Sequence, residues 1–233
     1  MAKIKDTDYL TISARIRAME NRLLTRERME RMLDARTDDE AAKVLSECGY
    51  GELPALTHAA LDELLSAARA GLYKELKGAV PDKRLVDVFQ MKYDYHNAKT
   101  LIKAAAVGAE ADRLLMEGGR WTAAQIKEAY QRDNLRDFTD PFRQAIIQAR
   151  ELLNGGGDPQ LADFVLDRAY FAEMSQAAKA VGSPFLEGYV RLLIDSTNLR
   201  SAVRAARMGK GNDFLEFPDE EEMARQASAE TVD

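Results

Sequence analysis

The chain has almost none of the residues that usually announce covalent or metal chemistry: one cysteine, two histidines and one tryptophan in 233 residues. A single thiol, Cys48, excludes an intramolecular disulfide framework and fits a reducing compartment. It stands before Gly49-Tyr50-Gly51 at an expected helix end, where a free thiol more often packs as a small apolar group than acts as a nucleophile. Neither histidine has a Glu three residues before it, since Ala55 precedes His58 and Tyr93 precedes His96 at that step, and no Cys or second His stands at ligand spacing. The Glu-x-x-His elements of a carboxylate-bundle metal site are therefore missing, and no metal or other cofactor is expected. No apolar run approaches the ~18 residues of a membrane-spanning helix. The start, Met1 to Asp6, lacks the apolar stretch of a signal peptide, so the chain reads as cytoplasmic.

An excess of base is also missing. Lys and Arg number 33 against 39 Asp and Glu, a net charge of −6. The acids are concentrated in residues 213–233, where Asp213, Glu216, Asp219 to Glu222, Glu230 and Asp233 face the single base Arg225. The body is left close to neutral, without the broad basic footprint of a nucleic-acid binder, and the acidic end reads as a solvated segment. Two glycine-rich stretches, Gly155-Gly156-Gly157-Asp158 and Gly209-Lys210-Gly211-Asn212, follow no expected strand and lack the spacing to a Lys-Ser or Lys-Thr pair. They read as linkers, not as phosphate loops.

What is present is helical periodicity nearly throughout. Tyr9, Ile12, Ile16, Met19 and Leu23 recur at steps of three and four, as do Phe164, Leu166, Tyr170 and Met174 less strictly. No segment alternates as a strand would, so the expected fold class is all-α. Helix starts are marked by Thr37-x-x-Glu40 and Thr122-x-x-Gln125 as capping boxes, and by Asp140-Pro141, Asp158-Pro159 and Ser183-Pro184. Glycines at 49, 51, 78, 108, 155–157, 209 and 211 mark the stops. The pattern predicts about ten helices of ten to twenty residues each.

The sequence also repeats itself. Asp94-Tyr-His-Asn97-Ala-Lys99-Thr-Leu101-Ile-Lys103-Ala-Ala105 recurs as Asp195-Ser-Thr-Asn198-Leu-Arg200-Ser-Ala202-Val-Arg204-Ala-Ala206, an offset of 101 residues. The same offset pairs Leu64-Leu65 with Val165-Leu166, Val80 with Val181 and Leu85 with Leu186. An offset of 97 pairs Leu24-Thr25 and Met29 with Trp121-Thr122 and Ile126, as a short loop insertion between helices would produce. Such self-similarity predicts duplicated multi-helix units. The expected division is residues 1–108, 109–210 and a remainder 211–233 that is an acidic tail or the start of a truncated third unit.

Asp94 and Asn97, like Asp195 and Asn198, lie three apart on one helix face that continues through apolar residues. A carboxylate so placed could act as a base or ligand; equally, Asp and Asn set into a packing stripe can satisfy loose backbone groups of a neighbouring segment. Their appearance in both copies favours the structural reading, with Lys99, Lys103, Arg200 and Arg204 as the basic members of the repeated motif. Arg200, Arg204 and Arg207 form a basic stripe that suits the negative end of a helix or an acidic partner.

These motifs resemble the rotor connector of V-type and archaeal A-type rotary ATPases, known as the C subunit in prokaryotic complexes and the d subunit in eukaryotic ones. The resembling stretches are Ala14 to Thr25, Gly49-Tyr50, Leu166 to Phe171 and Ile194 to Arg200. The resemblance implies an all-helical, funnel-shaped fold of three related units, of which the last is missing or truncated here. It implies a non-catalytic role: a connector on the cytoplasmic face of the membrane proteolipid ring that receives the D and F subunits of the central stalk, coupling proton or sodium transport to ATP synthesis or hydrolysis. It also implies a position peripheral to the membrane, with no nucleic-acid partner. From the residues alone, a helical-repeat adapter unrelated to ATPases and, after it, a helical-bundle enzyme are the alternatives.

Overall fold

A computed structural model describes residues 4–207. The acidic segment 211–233 lies outside the described residues. Among the described residues there are nine α-helices, two 3-10 turns and no strand, so the fold is all-α.

The first compact unit ends at Val86. It contains α1 (Leu10–Glu20), α2 (Arg26–Leu33), α3 (Asp38–Glu47) and α4 (His58–Ala79). Three of these starts share one device, a threonine whose hydroxyl accepts an N–H from the first turn: Thr25 from Arg28, Thr37 from Glu40 and Thr57 from Ala60. Each such cap is worth about 1 kcal/mol. The capping box at Thr37 is only half formed, because the Glu40 carboxylate takes the N–H of Arg36 at 2.9 Å instead of that of Thr37. Helices α2 and α3 pack together, and Arg31 reaches Glu47 at 3.1 Å across them. The core is thin: Ile12, Ala42, Val44, Leu45, Cys48 and Val86 are buried, whereas no residue of the 22-residue α4 is.

The second unit begins at Asp87, inside α5 (Arg84–Ala106). It continues through α6 (Ala123–Gln131), α7 (Asp140–Asn154), α8 (Pro159–Val181) and α9 (Pro184–Arg207). Thr122 and Gln125 form the full reciprocal box at the start of α6, and Asp158 caps α8 ahead of Pro159. At α7 the cap position falls to Thr139, one residue before the expected Asp140, with Pro141 in the first turn. Gly182 ends α8 in the left-handed conformation, φ 73°, which costs glycine nothing.

Packing in this unit follows the one-sidedness of α7, whose Phe142, Ala145, Ile146 and Ala149 are all buried. Helix α8 lies against α7 and then against α9. Helix α5 is enclosed, with Val88, Met91, Tyr95, Ala98, Leu101 and Ile102 all in the core. The Tyr95 ring stands 4.8 Å from Phe142 and 5.5 Å from Tyr170. Helix α9 buries a single face, Leu186, Val190 and Ile194.

The helix bounds follow the sequence repeat. Adding 101 to the limits of α4 gives 159–180, and to those of α5 gives 185–207; α8 and α9 occupy these positions to within one residue. Adding 97 to α2 gives 123–130, which is α6 less its last residue.

Candidate functional site

Three polar residues at steps of four and three, Gln90, Asp94 and Asn97, are buried on one face of α5. They grip the segment leading into α6 by its backbone. Asn97 donates to the Met116 carbonyl and accepts its N–H, both at 2.8 Å. Gln90 donates to the carbonyls of Gly118 and Gly119 at 3.1 and 2.7 Å. Asp94 accepts the N–H of Arg120 at 3.0 Å. The segment can lie this close because it has no side chain where it meets the helix: Gly118 adopts φ 104°, and a Cβ on Gly119 would stand 2.2 Å from Asp94 Oδ1.

The same turn delivers the Arg120 side chain into the interior. Its guanidinium is 2.6 Å from Asp94 Oδ2 and 2.5 Å from Glu173 Oε1 of α8, and it lies over the Trp121 ring, 4.6 Å from the centroid. Glu173 also accepts the hydroxyls of Tyr95 at 2.8 Å and Thr139 at 2.7 Å. One buried cation thus serves two buried carboxylates, and four elements meet on it: α5, the 116–121 segment, the cap of α7 and α8.

Burial pushes the Asp94 carboxyl up to about 6, against the opposing pull of Arg120. Burial alone would lower Arg120, but its hydrogen bond to Glu173 and the Asp94 charge outweigh it and the value rises. Burial, with Glu173 beside it, raises the Tyr95 phenol. A second set of pairs ties α5 to α8 further along: Lys99 to Asp167 at 2.5 Å and Lys103 to Asp163 at 2.7 Å. Burial raises Asp167, with Lys99 opposing it.

Of the residues chosen from the sequence, the first copy is thus brought together: Asp94, Asn97, Lys99 and Lys103 each reach a partner distant in sequence. The second copy is less buried. Asp195, Arg200 and Arg204 are exposed and Asn198 is half-buried; Arg200 turns back to the Ser196 carbonyl of its own helix. Sequence reasoning missed Arg120, Glu173, Gln90 and Thr139, the residues that complete the network. The Gly118-Gly119 pair ahead of Arg120 is the signal that could have found it, as a place where backbone approaches closely.

Chemically, the network is built to hold and not to react, since its carboxylates and its cation are spent on one another and on backbone donors. Among the described residues, no group of three or more His, Cys, Asp and Glu is placed to hold a metal ion. A depression of about 270 Å³ beside Trp121, Glu128, Arg132 and Phe138 contains none of the residues chosen from the sequence. No described helix is long and apolar enough to cross a membrane.

Fold and site together define an all-helical protein whose second unit holds a buried ionic junction. The sequence pattern of the ATP synthase (C/AC39) subunit family matches residues 12–227, and the chain belongs to that family. It is similar to the C subunit of the V-type sodium ATPase of Enterococcus hirae, with 24% identity over 89% of this chain and 64% of the relative. The C subunit of the V-type ATP synthase of Thermus thermophilus is 26% identical over 88% of this chain and 66% of its own length. The C subunit of the A-type ATP synthase of Thermococcus onnurineus is 27% identical over 88% and 59%. The chain therefore spans two thirds or less of the length of these relatives.

Proposed function

We propose that the protein is a non-catalytic connector in a V/A-type rotary ATPase or ATP synthase, joining the D and F subunits of the central stalk to the membrane proteolipid ring. The observation that carries this reading is the family match over residues 12–227. The buried junction supports it physically. A connector must pass torque without absorbing it, and a cation shared by carboxylates from α5 and α8 ties helices together with direction-specific bonds in a close-packed interior. On this reading the protein sits on the cytoplasmic face, peripheral to the membrane, and the repeated Asp-Asn-Lys/Arg motif is structural: Asp94, Asn97, Lys99 and Lys103 in one copy, Asp195, Asn198, Arg200 and Arg204 in the other. The two copies are duplicated helical units, expected over residues 1–108 and 109–210, and the matching helix bounds support this.

Co-purification tests the role. The tagged natural gene product, recovered from mildly solubilised membranes, is expected to bring down two stalk proteins and a small, very hydrophobic ring protein. Recovery of neither, with the tagged protein folded, would overturn the connector reading and leave a helical-repeat adapter in its place.

A further inference from the structure

The buried junction does not balance in charge. Its side chains are almost wholly out of water, with Asp94 0%, Arg120 8% and Glu173 8% exposed, and they bring two carboxylates to one guanidinium. The titratable groups that meet there are Asp94 and Tyr95 of α5, Arg120 of the 116–121 segment and Glu173 of α8; the cap of α7 adds only the uncharged hydroxyl of Thr139. Tyr95 is a neutral donor, its phenol raised by burial, so with both carboxylates ionised the cluster carries one negative charge in excess. The neighbouring ladder differs, for it matches Lys99 to Asp167 and Lys103 to Asp163 one for one. An uncompensated charge in a low-dielectric interior raises the free energy of the fold, and a carboxylate relieves it by binding a proton.

The hydrogen bonds decide which carboxylate takes the proton. Glu173 accepts the hydroxyls of Tyr95 and Thr139 and two guanidinium N–H groups of Arg120, all within 3.3 Å. Asp94 accepts the Nε–H of Arg120 at 2.6 Å on Oδ2 and its backbone N–H at 3.0 Å on Oδ1, with the Trp121 N–H at 3.5 Å. Fewer donors hold the charge on Asp94, and burial has already brought its carboxyl to about 6. A proton on Oδ2 ends that atom's acceptance from Nε–H. Oδ1 keeps the backbone N–H, but as the oxygen of a neutral acid it is the weaker partner.

We propose that the junction is an acid-sensitive tie: on mild acidification it takes up one proton at Asp94, the bond from Arg120 to that carboxyl opens, and the guanidinium stays with Glu173 alone. The path from α5 to α8 through Arg120 is then broken on the α5 side, and the 116–121 turn loses its charged anchor. The bonds of Asn97 to Met116 and of Gln90 to Gly118 and Gly119 join uncharged groups and persist. Arg120 and Glu173 become a one-to-one pair, so the core is left neutral and the switch loosens one tie without unfolding the unit. The inference rests on the charge count of the junction and not on any role in an ATPase.

The test is amide hydrogen exchange by NMR on the full chain at pH 7 and pH 5, read as the ratio of protection at Arg120 to protection at Met116. Both amides close on α5, but Met116 bonds to the uncharged Asn97, so changes in overall stability and in intrinsic exchange cancel. The ratio is expected to fall at least about fivefold at pH 5, the difference between a charge-assisted and a neutral hydrogen bond. Asp94→Asn, which sets a donor where Oδ2 stood, is expected to show the low ratio at both pH values. A measurement that needs no variant is the 13C signal of the Asp94 carboxyl, expected to titrate between pH 5 and pH 7. A ratio indifferent to pH, a ratio that still falls in Asp94→Asn, or a carboxyl signal flat over this range would each overturn the proposal. Failure of the stalk and ring to co-purify would leave it intact.

Discussion

At the scale of single residues, Arg120 carries the most. Truncating it to Met would leave Asp94 and Glu173 buried without their cation, and loss of one partner from a buried ionic group costs about 3–5 kcal/mol. The loss has a sign in pH. The carboxyl of Asp94 already sits at about 6, above its ordinary 3.8, so the folded state binds its proton more tightly than the unfolded chain. Such a group contributes stability that is full below the unfolded value and lost as pH rises through the folded one. Removing Arg120 widens that window, so the deficit of Arg120→Met is expected to be larger at pH 7 than at pH 5. Urea denaturation at both values checks it, and an equal deficit would show that the carboxylates do not depend on Arg120. Asn97 and Asn198 separate in the same way. Asn97 is fully buried with both amide groups bonded to Met116, so Asn97→Ala is expected to cost about 1–3 kcal/mol. Asn198→Ala, at a half-buried site, is expected to cost less, and thermal melts of the two variants side by side decide this.

At the scale of elements, the junction depends on the 116–121 segment coming within backbone distance of α5. Gly119→Ala would set a Cβ 2.2 Å from Asp94 Oδ1 and 2.9 Å from the Trp121 carbonyl, contacts that only a shift of the segment can relieve. The expected result is a loss of roughly 2–4 kcal/mol, in the range of other core strain and broken buried networks, with weaker hydrogen-exchange protection at the Met116 and Arg120 amides. The ladder between α5 and α8 is a lesser effect. Lys99 and Asp167 are 22% and 32% exposed, so a double-mutant cycle is expected to give a coupling of no more than about 1 kcal/mol. A much larger value would move the main tie between these helices from Arg120 to the ladder.

At the scale of the whole molecule, the two compact units differ in how much apolar surface they bury. The second encloses α5 and buries one side of α7 completely, while α4 of the first has no buried residue. Local opening free energy follows buried contacts. Amides of α4 are therefore expected to exchange much faster than those of α7 and α8 in native-state hydrogen exchange. Comparable protection would mean that α4 is covered in solution by something the described residues do not supply.

The amino-acid sequence by itself determined the all-helical class, because helix periodicity and threonine or proline starts are local properties that survive whatever the helices later touch. It also determined the repeat and, with it, the pairing of Asp94 with Asp195 and Asn97 with Asn198. At the start of α7 the position before the helix falls to Thr139 and not to Asp140, and its hydroxyl is taken by Glu173 at 2.7 Å, a partner 34 residues away that no local pattern shows. Only the tertiary structure decided that the two copies of the motif have different fates. Identical spacing puts Asp94 and Asp195 on equivalent helix faces, but burial is set by what packs on that face. Glu173 lies 53 residues from Arg120 and 78 from Tyr95 in the chain, so no local pattern could bring the three together. The network exists because one glycine-lined turn lets backbone reach α5, and that proximity is a property of the packed helices alone.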